Sequence, residues 1–301
     1  MPRDLISRYV WIVDTLNRYG KLSRRQLSDL WMRSSFSDGE PIPERTFFHY
    51  RRAIEENFHI DINCTRDGLY YIDQDTTRRN RTFTNWLLDS FAVNNALKDA
   101  RHTEGCIEVE DVPSAREFLP TVLEAIGNNR KLTFTYAGFS RSRPERDISF
   151  CPYFVKRYKQ RWYMIGRKDG ARDKSDAIRT YALDRVQEMK IGTDSFRRPS
   201  DFNPAEYFEH IVGVTQSKGA VRTVCLRATY QQAKYLRALP LHPSQQEEMH
   251  DSFSVFTYRL KLNYELVHEI LSYGSSLTVL APRELCVMVN EELRKTLENY
   301  N

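Results

Sequence analysis

Between residues 130 and 192 apolar side chains recur with a period of two, and that constrains the fold more than any other feature of the chain. Lys131-Leu132-Thr133-Phe134-Thr135-Tyr136 alternates as a half-buried strand does. Residues 148–158 form a second extended stretch, with Pro152 expected to break it. Trp162-Tyr163-Met164-Ile165 is an aromatic and branched run closed by Lys168-Asp169-Gly170, and reads as a buried strand ending in a turn. Residues 178–186 read as one further strand. Such a segment predicts a small, strongly bent β-domain. It also concentrates charge: residues 130–185 hold fifteen Lys/Arg against six Asp/Glu, a net of +9, whereas the whole chain is only +5. A basic surplus confined to one segment points to an anionic partner.

Upstream, residues 1–73 predict a small DNA-binding domain. Leu5, Ile6, Tyr9, Ile12, Val13 and Leu16 fall at helical spacing, ending at Gly20. Ser23 can cap a second helix over 24–31, and Pro43 suits the start of a third through Phe47, Tyr50, Ile54 and Phe58. Two short strands, 59–62 and 69–72, flank Arg66-Asp67-Gly68, a hairpin signal. Three helices and a hairpin is the order of a winged helix-turn-helix, in which the last helix enters the major groove. On that reading Arg45, Thr46, His49 and Arg52 face DNA, with Arg51 as a further candidate, Arg24 and Arg25 contact phosphates, and Arg66 lies at the wing tip. The alternative is a solvated helical face, and fourteen basic against twelve acidic residues in 1–82 leaves both readings open.

Residues 74–129 read as a connector: a polar linker, a helical block from Phe83 to Leu97, an acidic turn-rich stretch, and a second block from Ala115 to Ile126. Residues 193–219 form a second linker, with Phe202, Tyr207, Phe208 and Ile211 available to anchor it to a neighbour. From residue 220 to 301 the pattern runs strand (223–228), helix (231–239), strand (253–262), helix (264–273), strand (277–280), helix (282–297), which suggests a split βαβ, ferredoxin-like module.

Trp162-Tyr163-Met164, preceded by Pro152 and followed by Arg179-Thr180-Tyr181-Ala182-Leu183-Asp184-Arg185-Val186, resembles the WYL domain. That family has an SH3-like barrel, a Trp-Tyr-Leu signature and a strand of the form R-x-F-x-L-D-R-I; Met164, Tyr181 and Val186 here replace Leu, Phe and Ile. The resemblance extends to the three-part layout of WYL transcription factors, with residues 220–301 similar to the WCX extension. It implies an α+β chain of winged helix-turn-helix (1–73), WYL barrel (130–192) and WCX-like module. It further implies a ligand-sensing, DNA-binding regulator whose effector is a nucleic acid or nucleotide, acting as a homodimer. By position Tyr136, Arg179 and Arg185 fall on the family's ligand-contacting residues, with Arg146 and Lys156 as further candidates. Arg185, next to Asp184, is either a ligand contact or half of a strand-fixing salt bridge.

The remaining features bound the function. No P-loop, dinucleotide glycine motif, HExxH or nucleophile elbow is present, so no enzyme and no cofactor are expected. The five cysteines include no CxxC pair, and His242, His250 and His268 lack metal-ligand spacing and read as surface residues. With no apolar run of eighteen residues and no signal-like start, the expected setting is cytoplasmic, without membrane contact. A nucleic-acid-binding accessory protein without promoter control is the competing reading.

Overall fold

In the computed structural model the described residues are 5–34, 36–37, 39–58, 60–72, 90, 92–93, 115–139, 142–170, 178–200 and 202–300. The chain divides into two compact units, Met1–Glu110 and Asp111–Asn301. It is a mixed α/β fold with antiparallel sheets throughout.

The first unit contains helices α1 (Leu5–Tyr19), α2 (Arg24–Trp31) and α3 (Glu44–Phe58) and strands β1 (Leu22–Ser23), β2 (Ile62–Cys64) and β3 (Leu69–Ile72). Tyr9, Ile12, Val13 and Leu16 of α1, Leu27 and Trp31 of α2, and Phe47, Tyr50 and Ile54 of α3 share one core. Ser23 caps α2 in a reciprocal box: its hydroxyl accepts from Gln26 N (3.3 Å), and the Gln26 side chain accepts from Ser23 N (2.9 Å). The hairpin closes over Thr65–Gly68, with Gly68 at φ 77°, the left-handed region glycine enters at least cost. Two details differ from the sequence reading. The first hairpin strand is Ile62–Cys64 rather than 59–62, because α3 continues to Phe58. A two-residue strand, β1, pairs with β3 and makes the sheet three-stranded, in the order β1-β3-β2. The predicted helical block over 83–97 lies outside the described residues, apart from residues 90, 92 and 93.

The second unit opens with a 3₁₀ turn (Arg116–Phe118) and helix α4 (Leu119–Gly127), followed by strands β4 (Arg130–Tyr136), β5 (Glu145–Tyr158), β6 (Arg161–Lys168), β7 (Ile178–Ala182) and β8 (Val186–Ser195). Val122 and Ala125 of α4 pack onto Leu132, Phe134, Phe150, Met164 and Leu183, so the end of the connector roofs this sheet. The strand order is β7-β6-β5-β4-β8. No ladder among the described residues joins β7 to β8, so the SH3-like barrel expected from the resemblance is open here. The chain passes between these two edge strands through the 3₁₀ turn Leu183–Arg185. The single strand expected over 178–186 is therefore two strands and a corner.

Pro152 does not break β5. It faces Gly166 across the ladder, and the register shifts between Pro152 and Phe154, which absorbs the missing N–H. The approach is close: a Cβ on Gly166 would lie 2.1 Å from the Cys151 carbonyl oxygen and 2.9 Å from Pro152 Cα. Arg146 lies at the start of β5.

Helix α5 (Pro204–Phe208) interrupts the second linker. The C-terminal module then contains β9 (Arg222–Thr229), α6 (Tyr230–Ala238), β10 (Gln246–Met249), β11 (Phe253–Leu260), α7 (Tyr264–Ser272), β12 (Leu277–Ala281) and α8 (Arg283–Glu298), with sheet order β10-β11-β9-β12. Strand β10 was not anticipated; it is polar and held by its ladder to β11. His242 is buried, contrary to its reading as a surface residue. Its Nδ1 meets Ser244 Oγ at 2.9 Å, and burial pushes its pKa down.

Candidate functional site

In the first unit, α3 buries Phe47, Tyr50 and Ile54 and turns Arg45, His49 and Arg52 outward at i, i+4 and i+7, so these three share one face. Thr46 is half-buried beside them. Arg52 pairs with Glu56 (2.9 Å) in full solvent, a contact of little strength that leaves the guanidinium available. Arg51 is turned inward, with Glu55 at 3.0 Å and its guanidinium over Tyr70. Arg24 reaches Glu44 at the start of α3 (3.6 Å), which places the head of α2 beside the head of α3. Arg25, Arg45 and Arg66 are exposed, with no ion-pair partner among the described residues; Arg66 sits at the hairpin tip.

The second cluster lies at the corner between β7 and β8. The Tyr136 hydroxyl accepts from Ala182 N (3.4 Å), its ring packs edge-on against Tyr181 (4.8 Å), and Ala137 N donates to Arg185 O (2.9 Å). The Arg185 guanidinium stacks 3.6 Å above the ring of Phe139, which is 81% exposed, and its Nε is buried without a hydrogen-bond partner. Arg185 does not bridge to Asp184. One Asp184 oxygen instead accepts from Arg161, which raises the Arg161 pKa, and the other is buried and unpartnered. Tyr163 lies among these groups: burial raises its phenol pKa, Arg161 and Arg185 oppose the shift, and Asp184 adds to it.

The five ligand candidates therefore separate. Tyr136 and Arg185 come together. Arg146 is exposed one residue from Glu145, the ladder partner of Tyr136. Arg179 stands opposite Gly166 further along β7, exposed, and opposes the burial that pushes the Tyr207 pKa up to about 12. Lys156 is turned to the linker: its Nζ donates to Gly213 O (2.6 Å) and sits 3.6 Å over the Phe208 ring. Sequence reasoning missed Arg161 and Phe139. The available signals were an aspartate in a basic strand, which needs a cation, and an aromatic in a charged loop.

Residues 207–216 form a strap tied to both neighbours. Beyond Lys156, Thr180 Oγ1 donates to Val214 O (3.3 Å) from the sheet side. From the C-terminal module, Glu265 Oε1 accepts from Val214 N (3.3 Å) and Thr215 N (2.9 Å), and Asn263 donates to Val212 O and Thr215 O (2.8 and 2.9 Å). Phe202, Tyr207 and Phe208 pack around Phe154, as the anchoring role of these aromatics predicts.

Burial lowers the Lys156 pKa from 10.5 to about 8, with Glu265 opposing. Below about pH 8 both folded and unfolded chains carry the proton, and the charge destabilises the fold. Between about pH 8 and 10.5 the unfolded chain holds more proton, so this group makes stability rise with pH. In Lys156→Met that contribution is expected to vanish. The difference between the wild-type and variant urea-denaturation curves should change by about 1–2 kcal/mol across this range, after allowance for the partly exposed amine. A difference independent of pH would refute it.

Residues 117–191 match the WYL domain and residues 220–297 the WCX domain. No curated protein matches the chain. Among solved structures, the proteasome accessory factor B/C (PafBC) of Arthrobacter aurescens is similar at 21% identity and a TM-score of 0.34, over 95% of this chain. This chain spans 45% of that protein's length. A CRISPR Cas-related protein is similar at 12% identity and a TM-score of 0.41, over 88% of this chain and 75% of its own. Helix α4 falls inside the first matched segment, in keeping with its packing on the sheet, and the two matches divide at the strap. The chain thus carries a WYL domain followed by a WCX domain.

Proposed function

We propose that the protein is a ligand-responsive, DNA-binding transcriptional regulator working in the cytoplasm as a homodimer, without a catalytic step or cofactor. The first unit is read as a winged helix-turn-helix, with α3 as recognition helix and the β2–β3 hairpin as wing; the outward face carrying Arg45, His49 and Arg52 supports this. The C-terminal strand order β10-β11-β9-β12 supports a ferredoxin-like reading of the WCX module, and the bent sheet over residues 130–195 supports an SH3-like reading of the WYL domain. The observation that carries the sensing role is the corner of Tyr136, Arg185 and exposed Phe139. An arginine with an unpartnered Nε, stacked on an aromatic ring, suits a phosphate beside a base. The effector is accordingly a nucleic acid or nucleotide. An accessory role, holding single-stranded DNA or RNA without promoter control, is the second reading, and the same corner favours it.

Selection from a random duplex library, with and without added oligonucleotides or cyclic nucleotides, tests the assignment. One enriched motif is expected. Arg52→Ala should weaken its binding roughly tenfold, as expected for loss of a charged contact, whereas Arg185→Ala should leave duplex binding intact and abolish the response to effector. No enriched motif would favour the accessory role.

A further inference from the structure

The C-terminal module contains a polar cleft that plays no part in the reading above. It has a volume of about 240 Å³ and lies where β9 ends, between the start of β11 and the start of β12. Arg227 lines it from the middle strand, laddered to Val255 on one side and Thr278 on the other. Five hydroxyl-bearing residues, Thr229, Ser252, Ser275, Ser276 and Thr278, line the rest together with Ala228 and Phe253.

Arg227 is exposed and has no ion-pair partner among the described residues, whereas Arg222 and Arg237 of the same module are held by Glu284 (3.4 Å) and Glu247 (2.7 Å). Thr229 caps α6 by accepting from Gln232 N (3.3 Å), which leaves its own hydroxyl hydrogen free to donate. Helix α6, nine residues long, starts at the rim with no acidic residue in its first turn, so its positive end faces no competing carboxylate of its own. Nearby charges are few. Asp251 is exposed beside Ser252, and His250 stacks on Phe253 (4.4 Å) with Glu248 at 3.5 Å from its Nε2. Lys234 lies over the exposed ring of Tyr230 (4.5 Å).

An arginine among five hydroxyl-bearing residues offers many donors in a small space. A carboxylate has two oxygens and leaves most of them unused; a phosphate monoester has three terminal oxygens and can engage the guanidinium fork bidentately. The cleft is smaller than the roughly 300–1,000 Å³ of sites that enclose a whole drug-sized ligand, so it fits the phosphate end of a molecule whose remainder stays outside. We infer that the Arg227 cleft is a binding site for a phosphate monoester, distinct from the Arg185 corner.

Titration calorimetry on the full chain at low ionic strength tests this. It is carried out in the Arg185→Ala background so that the other basic site does not contribute. The probes are inorganic phosphate, adenosine 5′-monophosphate, and a short single-stranded oligonucleotide with and without a 5′-phosphate. Saturable phosphate binding is expected, weakened at least about tenfold by Arg227→Met, and less by Thr278→Val, which removes one hydroxyl. Tighter binding of the 5′-phosphorylated oligonucleotide than of its unphosphorylated twin supports the site with a strand end as its source. Binding by the mononucleotide or inorganic phosphate alone supports it with a free phosphate as the source. Absence of saturable binding by any phosphorylated probe, or equal affinity in Arg227→Met, overturns the proposal. Because Arg185→Ala is present throughout, neither result bears on the effector corner.

Discussion

Asn263→Ala is expected to destabilise the second unit by about 3–4 kcal/mol, measured as a fall in the urea-denaturation midpoint at constant slope. Asn263 is 5% exposed and does three jobs with one amide. Its oxygen accepts from Leu266 N (2.9 Å) and caps α7, while its nitrogen donates to Val212 O and Thr215 O. Losing a side-chain cap costs about 1 kcal/mol, the buried Val212 carbonyl left without a donor about 1–3 kcal/mol, and the Thr215 carbonyl, in an exposed residue, less. Asn263→Ser separates the two contributions. Serine restores the cap but cannot reach both carbonyls, so it should recover about 1 kcal/mol and no more. A loss below 1 kcal/mol for the alanine variant would show that the strap does not depend on this amide.

Gly166→Ala is the second large effect, expected at about 3 kcal/mol. A Cβ would meet the tip of the buried Phe150 ring and two main-chain atoms of β5, the Cys151 oxygen and Pro152 Cα, and the main-chain atoms cannot swing aside as a side chain can. Relief would require β5 and β6 to part in the middle of the sheet, beside the register shift at Pro152. Hydrogen exchange should accordingly quicken across residues 150–155 and 163–168, beyond the mutated position. Gly127→Ala is the control. Gly127 ends α4, and nothing lies within 4 Å of its added Cβ, so stability should change by less than about 1 kcal/mol. Equal stability of wild type and Gly166→Ala would contradict the close approach.

The sequence was easiest to read where one local signal decides one local structure. The apolar spacing of α1 and α3, the Ser23–Gln26 box and the Gly68 turn each need no distant partner, and the helices and hairpin follow from them. Reading fails where the deciding partner is far along the chain. Pro152 looks like a strand breaker until Gly166 is placed opposite it. Residues 178–186 read as one strand because no glycine or proline marks the bend, where the 3₁₀ turn buries Leu183 and half-buries Asp184 and Arg185. Strand β10 has no apolar period at all and exists because β11 offers it a ladder. The ligand candidates divide in the same way. Tyr136 and Arg185, grouped by the WYL pattern, lie side by side, whereas Lys156, grouped with them, is turned to Phe208, more than fifty residues later.

The strap has a practical consequence for dissecting the protein. Most of its ties run through its own peptide groups: the side chains of Lys156, Thr180, Asn263 and Glu265 bind main-chain atoms of residues 212–215, and Gly213, at φ 88° with Glu265 Cγ 2.7 Å from where a Cβ would lie, leaves Glu265 the room to do so. A fragment cut at the linker would thus strand a half-buried lysine on one side and a capping asparagine and a carboxylate on the other. Each piece would carry unmet polar groups at its newly bared surface, so the WYL and WCX segments should be expressed together, from residue 111 onward.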